Sequence, residues 1–154
     1  MKSQTVFLGV SELIPMKADM SSVLGDASQG PYGSNCIDGR LETLCCTQEE
    51  RTPWIAFRFP FQVAVKYVYI YNTNYGKEAA ERFKNAEVRI TNFHNKEVQG
   101  VHFLIGKYKG PGRDAEIIKI KTLSNYTGSI VYIQTYLGQG DYLNLQEVKL
   151  FGNI

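Results

Sequence analysis

The sequence predicts an all-β fold, an antiparallel jelly-roll β-sandwich of about eight strands. Three observations lead there. Apolar residues recur with a period of two along most of the chain, the signature of strands with a buried face. Clusters of Gly, Pro, Asn and Asp separate these stretches, as at Gly30-Pro31, Lys109-Gly110-Pro111-Gly112 and Gly138-Gln139-Gly140-Asp141. Aromatic residues are abundant, with ten Tyr, eight Phe and one Trp among 154 residues, and such side chains suit pleated, half-buried surfaces.

Strand-like pieces stand near Val6-Phe7-Leu8 and around Met20. Trp54 to Phe59 reads as a strand opened by Pro53. Val63, Val65, Tyr67, Tyr69 and Tyr71 then alternate with Ala64, Lys66, Val68, Ile70 and Asn72, a long strand apolar on both faces and therefore central. Glu78-Ala79-Ala80-Glu81-Arg82 has helical character and predicts a single turn in a loop. Ala86 to Ile90 shows one apolar and one charged face. Val101 to Ile105, Ala115 to Ile120, Gly128 to Tyr136 and Leu143 to Phe151 complete the set, with Lys107 to Gly112 as a tip between strands. No repeat, linker or low-complexity tract intervenes, so residues 1–154 read as one domain. A chain of this size buries roughly 70% of its unfolded surface and needs no disulfide framework.

Seventeen basic and 15 acidic residues leave a net charge of +2. No run of Lys or Arg is long enough for a nucleic-acid partner or a membrane-surface patch. No stretch approaches the roughly 18 apolar residues of a membrane span. Met1 to Val10 is too polar for a signal peptide, which leaves two expectations open: a cytoplasmic protein, or an extracellular one whose targeting segment Met1 replaces. Chemistry is equally sparse. The two His, His94 and His102, belong to no nucleophile motif, and no phosphate-binding Gly loop is present. The expectation is a protein that is not an enzyme. Cys36, Cys45 and Cys46 lack Cys-x-x-Cys spacing, which argues against zinc. A vicinal Cys45-Cys46 disulfide, a bond from Cys36 to either, and free thiols all remain open, with three buried small apolar side chains as the default. Asn125-Tyr126-Thr127 matches the N-glycosylation triplet in a predicted turn.

Two acids stand out. Asp38 precedes Gly39 in the loop Asn35-Cys36-Ile37-Asp38-Gly39-Arg40, where a Gly lets the chain turn sharply. Glu147 lies between Leu145 and Val148 in a strand that otherwise packs the core, and a carboxylate there needs a partner. A sandwich can bring both to one loop-built calcium site, since calcium takes six to eight oxygen ligands and accepts carbonyls. Otherwise Asp38 is an Asx-turn residue and Glu147 faces solvent or pairs with a Lys.

Larger motifs add to this. Ser21-Ser22 precedes the Asp38 loop, Pro53-Trp54 starts a strand, and the long apolar strand ends in Asn72. Asn85-Ala86-Glu87-Val88-Arg89-Ile90 follows, and Leu143-Asn144-Leu145-Gln146-Glu147-Val148-Lys149-Leu150-Phe151-Gly152 closes the chain. In this order they resemble the coagulation factor 5/8 type C domains, also called discoidin-like or galactose-binding-like. Within that family the chain is most similar to the fucose-binding F-type lectins, through Cys45-Cys46-Thr47 and the segment from Arg82 to Val88. The resemblance implies an eight-stranded jelly roll with structural calcium beneath its loops. Asp38 and Glu147 would supply side-chain oxygens; Asn35, Arg40, Cys45 and Gln146 would supply carbonyls.

The resemblance also implies a shallow sugar site, with Gln48, Tyr75, Lys77 and Arg82 at the ligand positions. Of these only Arg82 keeps the lectin residue. Glu78-Ala79 stand where the lectins carry a cysteine pair, and Gln146 where they place the Cys that bonds the residue matching Cys46. The fucose motif is thus degenerate. Arg82, Lys77 and Gln48 can still donate to hydroxyls, and Tyr75, Tyr32 or Tyr108 can stack on a sugar face. The implied function is a lectin-like recognition and cell-adhesion module for glycans or glycoproteins. A shallow polar site gives weak affinity, so avidity would come from oligomers or tandem modules. The alternative is a protein- or phospholipid-binding scaffold that has lost sugar binding. Its loops would offer Tyr32, Tyr75, Phe83 and Tyr108 beside Lys77, Lys84, Lys107 and Lys109, without the exposed Trp or Leu pair that would favour lipid.

Overall fold

The computed structural model describes residues 9–25, 30–92 and 102–154. Nine antiparallel strands build it: β1 (Ser11–Leu13), β2 (Lys17–Met20), β3 (Cys45–Cys46), β4 (Trp54–Asn72), β5 (Ala86–Thr91), β6 (Phe103–Tyr108), β7 (Ile117–Lys121), β8 (Gly128–Thr135) and β9 (Asn144–Asn153). A four-residue helix α1 (Lys77–Ala80) and a 3-10 turn (Gly33–Cys36) are the only helical pieces among the described residues. The all-β expectation holds, as does the single helical turn after β4. The expected strand at Val6-Phe7-Leu8, residue Val101 of the expected strand to Ile105, and His94 lie outside the described residues.

The two strands expected at Trp54–Phe59 and Val63–Asn72 are one strand of 19 residues. Its first half pairs with β2 and β8, its second half with β7 and β9. Pro60 stands near the changeover, where a residue without an N–H costs no ladder bond, and the pairing with β8 is irregular between Arg58 and Val63. One sheet therefore runs β2-β4-β8-β5-β6. The other runs β1-β9-β4-β7, with β3 also on β9. Between them packs the main core, which includes Phe57, Val68, Ile70, Ile90, Ile133 and Leu145.

Strict alternation would place Val65 and Tyr67 on one face. Instead the ladder to β9 pairs Val65 with Gly152 and Tyr67 with Phe151, leaving Lys66 as a bulge. Val63, Val65, Val68 and Ile70 are all buried, and Tyr67, Tyr69 and Tyr71 turn to the outer face, half-buried. β6 extends through Lys107 and Tyr108, which pair with Glu87 and Ala86, so that part of the expected tip is strand. β7 begins at Ile117 because Ala115 adopts φ 55°, outside strand geometry.

Candidate functional site: an acid loop and a polar depression

The chain leaves the 3-10 turn at Cys36, loops through Asp38 and returns at Cys45, and a Cys36–Cys45 disulfide with a Cα–Cα distance of 5.5 Å closes it. The structure thereby settles the open pairing. Cys46 is free and buried, its thiol pushed up to about 11 by desolvation. Inside the loop Asp38 accepts from the Arg40 N–H at 2.9 Å and from the Thr43 hydroxyl at 2.6 Å. That hydroxyl also lies 3.3 Å from the Asn35 carbonyl and 3.4 Å from the Arg40 carbonyl. Oxygens from residues eight positions apart thus converge on one point.

β9 brings the second acid there. Glu147 is 4% exposed; one carboxylate oxygen accepts from the Gly39 N–H at 2.9 Å. Its other oxygen, Oε1, is buried with no hydrogen-bond partner among the described residues. Desolvation and the nearby Asp38 carboxylate push its pKa up to about 7, against the Gly39 N–H, which lowers it. The preceding residue, Gln146, falls at a second irregularity, since Tyr71 pairs with Glu147 and Asn72 with Leu145. Its backbone is thus out of the ladder with β4, while its amide donates to the Leu41 carbonyl at 2.6 Å. Asn35, Asp38, Arg40 and Glu147 converge, and Gln146 braces the loop. Cys45 anchors its far end. Among the described residues no three His, Cys, Asp or Glu side chains cluster; the oxygens gathered at this loop are two carboxylates, the Thr43 hydroxyl and the Asn35 and Arg40 carbonyls.

The second feature is a depression of about 370 Å³ lined by Lys77, Glu78, Glu81, Arg82, Lys84 and Asp141. Arg82 stands 3.3 Å from the Asp141 carboxylate, donates to Asn144 Oδ1 at 3.2 Å and lies 4.9 Å from the Tyr142 ring centre. Lys77 pairs with Glu81 at 2.9 Å, one helical turn on, and this raises its pKa. Of the expected ligand residues, Lys77 and Arg82 meet here and Gln48 and Tyr75 do not line the depression. Gln48 donates its side-chain amide to the Val23 carbonyl and its backbone N–H to the Ser22 hydroxyl; Tyr75 is 64% exposed. Phe83, expected at the surface, is 1% exposed and stacks on Tyr108 at 5.3 Å, because an apolar ring after α1 finds the core.

Sequence reasoning missed Asp141. Its segment Gly138-Gln139-Gly140-Asp141 has the composition of a turn, and nothing local marks the carboxylate as the partner of a residue 59 positions earlier. Ser21 and Ser22 both donate to Glu50, the former at 2.7 Å, and Glu50 bridges to the Asp141 backbone. The serine pair is thus linked through Glu50 to the segment that carries Asp141.

No protein-family model and no curated protein matches the chain. Solved structures do. A family 32 carbohydrate-binding module from Clostridium perfringens NanJ, in complex with galactose, is 16% identical with a TM-score of 0.68, over 92% of this chain and 98% of that one. A fucolectin from Morone saxatilis serum is 23% identical with a TM-score of 0.72; the match covers 88% of this chain but 46% of the lectin. A fucose-binding module from Streptococcus pneumoniae is 18% identical with a TM-score of 0.68, over 94% and 97% of the two chains. The fold is the β-sandwich that these carbohydrate-binding modules and lectins share.

Proposed function

We propose that this domain is a non-catalytic glycan-binding module, taking sugar at the depression beside Arg82, with a calcium ion ordering the acid loop. The observation that carries the reading is the composition of that depression: three cations and three carboxylates line one shallow basin, supplying donors and acceptors for hydroxyls. Arg82 is held from three sides, so its guanidinium is ordered before ligand arrives and less entropy is lost on binding. The fold neighbours, which include modules solved with galactose and fucose-binding modules, support the ligand class. Fucose specificity is not part of the proposal, because Gln48 and Tyr75 stand apart from the basin.

The acid loop fits calcium on its own chemistry. Glu147 Oε1 is a buried oxygen lacking a partner among the described residues, beside Asp38 and a hydroxyl that already gathers the Asn35 and Arg40 carbonyls. These residues would hold the ion, which would neutralise two neighbouring carboxylates and fix the loop. Nothing in the described residues calls for catalysis. His102 contacts Arg89 at 3.4 Å, and burial and that guanidinium lower its pKa. The raised pKa of the Cys46 thiol makes it a poor nucleophile.

A glycan array run with calcium and with chelator tests the reading. Binding to neutral glycans, lost at least tenfold in Arg82→Ala while the melting temperature stays within a few degrees, is the expected result. Stability should hold because partly exposed ion pairs contribute about 1 kcal/mol or less. A folded protein silent under both conditions overturns it.

A further inference from the structure

The outer face of the β1-β9-β4-β7 sheet carries a row of half-buried tyrosines, of which Tyr69 meets Phe151 edge-on at 5.3 Å. Tyr67, Tyr69 and Tyr71 stand in a row on β4, outside the buried Val68 and Ile70. Register places Lys121, Lys119 and Ile117 of β7 beside them on one side, and Phe151, Lys149 and Glu147 of β9 on the other. Residues two apart on a strand are about 6.8 Å apart and strands about 4.8 Å, so the tyrosines form a floor about 14 Å long, with lysines beside Tyr67 and Tyr69.

Lys119 Nζ lies 4.1 Å from the Tyr67 ring centre and Lys149 Nζ 5.7 Å from that of Tyr71. Neither lysine, nor Lys66 or Lys121, has a carboxylate within ion-pair distance among the described residues. A depression of about 340 Å³ lies over the tyrosines, Lys149 and Phe151. A second, of about 110 Å³, shares Tyr71 and reaches Asn72 and Gln146. Asn72 Oδ1 and Gln146 Oε1 are buried acceptors without a hydrogen-bond partner among the described residues. The trough thus has an aromatic floor with Lys149 in its lining and Lys119 beside it.

We propose that this face binds a linear acidic glycan, a chain with carboxylates on alternate sugars, laid along β4. Sugar C–H faces stack on the tyrosine rings, and carboxylates pair with Lys119 and Lys149 on opposite sides of Tyr69. An acidic peptide would satisfy the lysines but presents no run of flat C–H faces to three rings. The trough shares no lining residue with the Arg82 basin, so the proposal stands apart from the function proposed there.

Calorimetric titration with a hyaluronan octasaccharide tests it, with a neutral chitin hexasaccharide and a poly-glutamate peptide as comparisons. Salt-sensitive binding of the octasaccharide is expected. It should weaken at least tenfold in the double variant Lys119→Gln/Lys149→Gln and in Tyr69→Ala, and persist in Arg82→Ala. The lysine pair is exposed to half-buried, so that variant keeps the test valid even where Tyr69→Ala fails to fold. No binding by folded protein at millimolar octasaccharide, binding unchanged in the lysine variant, or equal binding of the hexasaccharide or the peptide would each overturn the proposal.

Discussion

At Glu147 a carboxylate is held between β9 and the acid loop, one oxygen accepting from the Gly39 N–H and the other without a hydrogen-bond partner among the described residues. Burial raises its pKa from 4.5 to about 7. The folded chain therefore holds its proton more tightly than the unfolded chain does. The stability this gives is fully present below about pH 4.5 and is lost as pH rises through 7, a span worth about 3 kcal/mol. In chelator, the melting temperature should fall between pH 5 and pH 8, and Glu147→Gln, which keeps an acceptor for Gly39, should flatten that fall. A slope unchanged in the variant would remove Glu147 as its cause. Added calcium should restore the loss at pH 8 in the wild type and not in the variant. This residue was legible in the sequence because an acid inside an apolar strand violates its surroundings. Asp141 was not, since an acid in a glycine-rich turn violates nothing.

Elements were legible where local chemistry alone decides them, and less so where tertiary contact does. The period-two pattern located β5, β8 and β9, and the turn chemistry located the loops between them. It did not show that β4 serves both sheets, because that depends on which strands meet each half. Nor did it show the bulge at Lys66, which reverses the facing of the tyrosines relative to Val63 and Val65. The bulge has a partner residue whose side chain is constrained. A Cβ on Gly152 would stand 1.9 Å from the Ala64 carbonyl oxygen, and backbone at the sheet centre cannot move aside cheaply. Gly152→Ala should cost about 2 kcal/mol or more, about 5 °C in melting temperature for a chain of this length. A variant melting within 1 °C of wild type would show that the strands are not in such close contact there.

Across the whole molecule the acid loop and the Arg82 basin are joined through β3 and β9. Cys45 pairs with Leu145 and Cys46 with Asn144; Cys45 is bonded to Cys36 beside the acids, and Asn144 accepts from Arg82. A change that loosens the loop therefore reaches the guanidinium through two adjacent residues of one strand pair. The disulfide closes a loop of sequence separation 9, which by chain entropy contributes about 2–3 kcal/mol. Cys36→Ser with Cys45→Ser should lower stability by that amount. It should also weaken calcium and neutral-glycan binding together, each by roughly tenfold, the equivalent of about 1.4 kcal/mol. Octasaccharide binding at the tyrosine face should change less, because its lysines and tyrosines rest on β4, β7 and the middle of β9, away from the cysteines. Parallel titrations of the double variant with calcium, glycan and octasaccharide measure this. Loss of calcium affinity with glycan affinity intact would show that the two sites at this end are not coupled through β3.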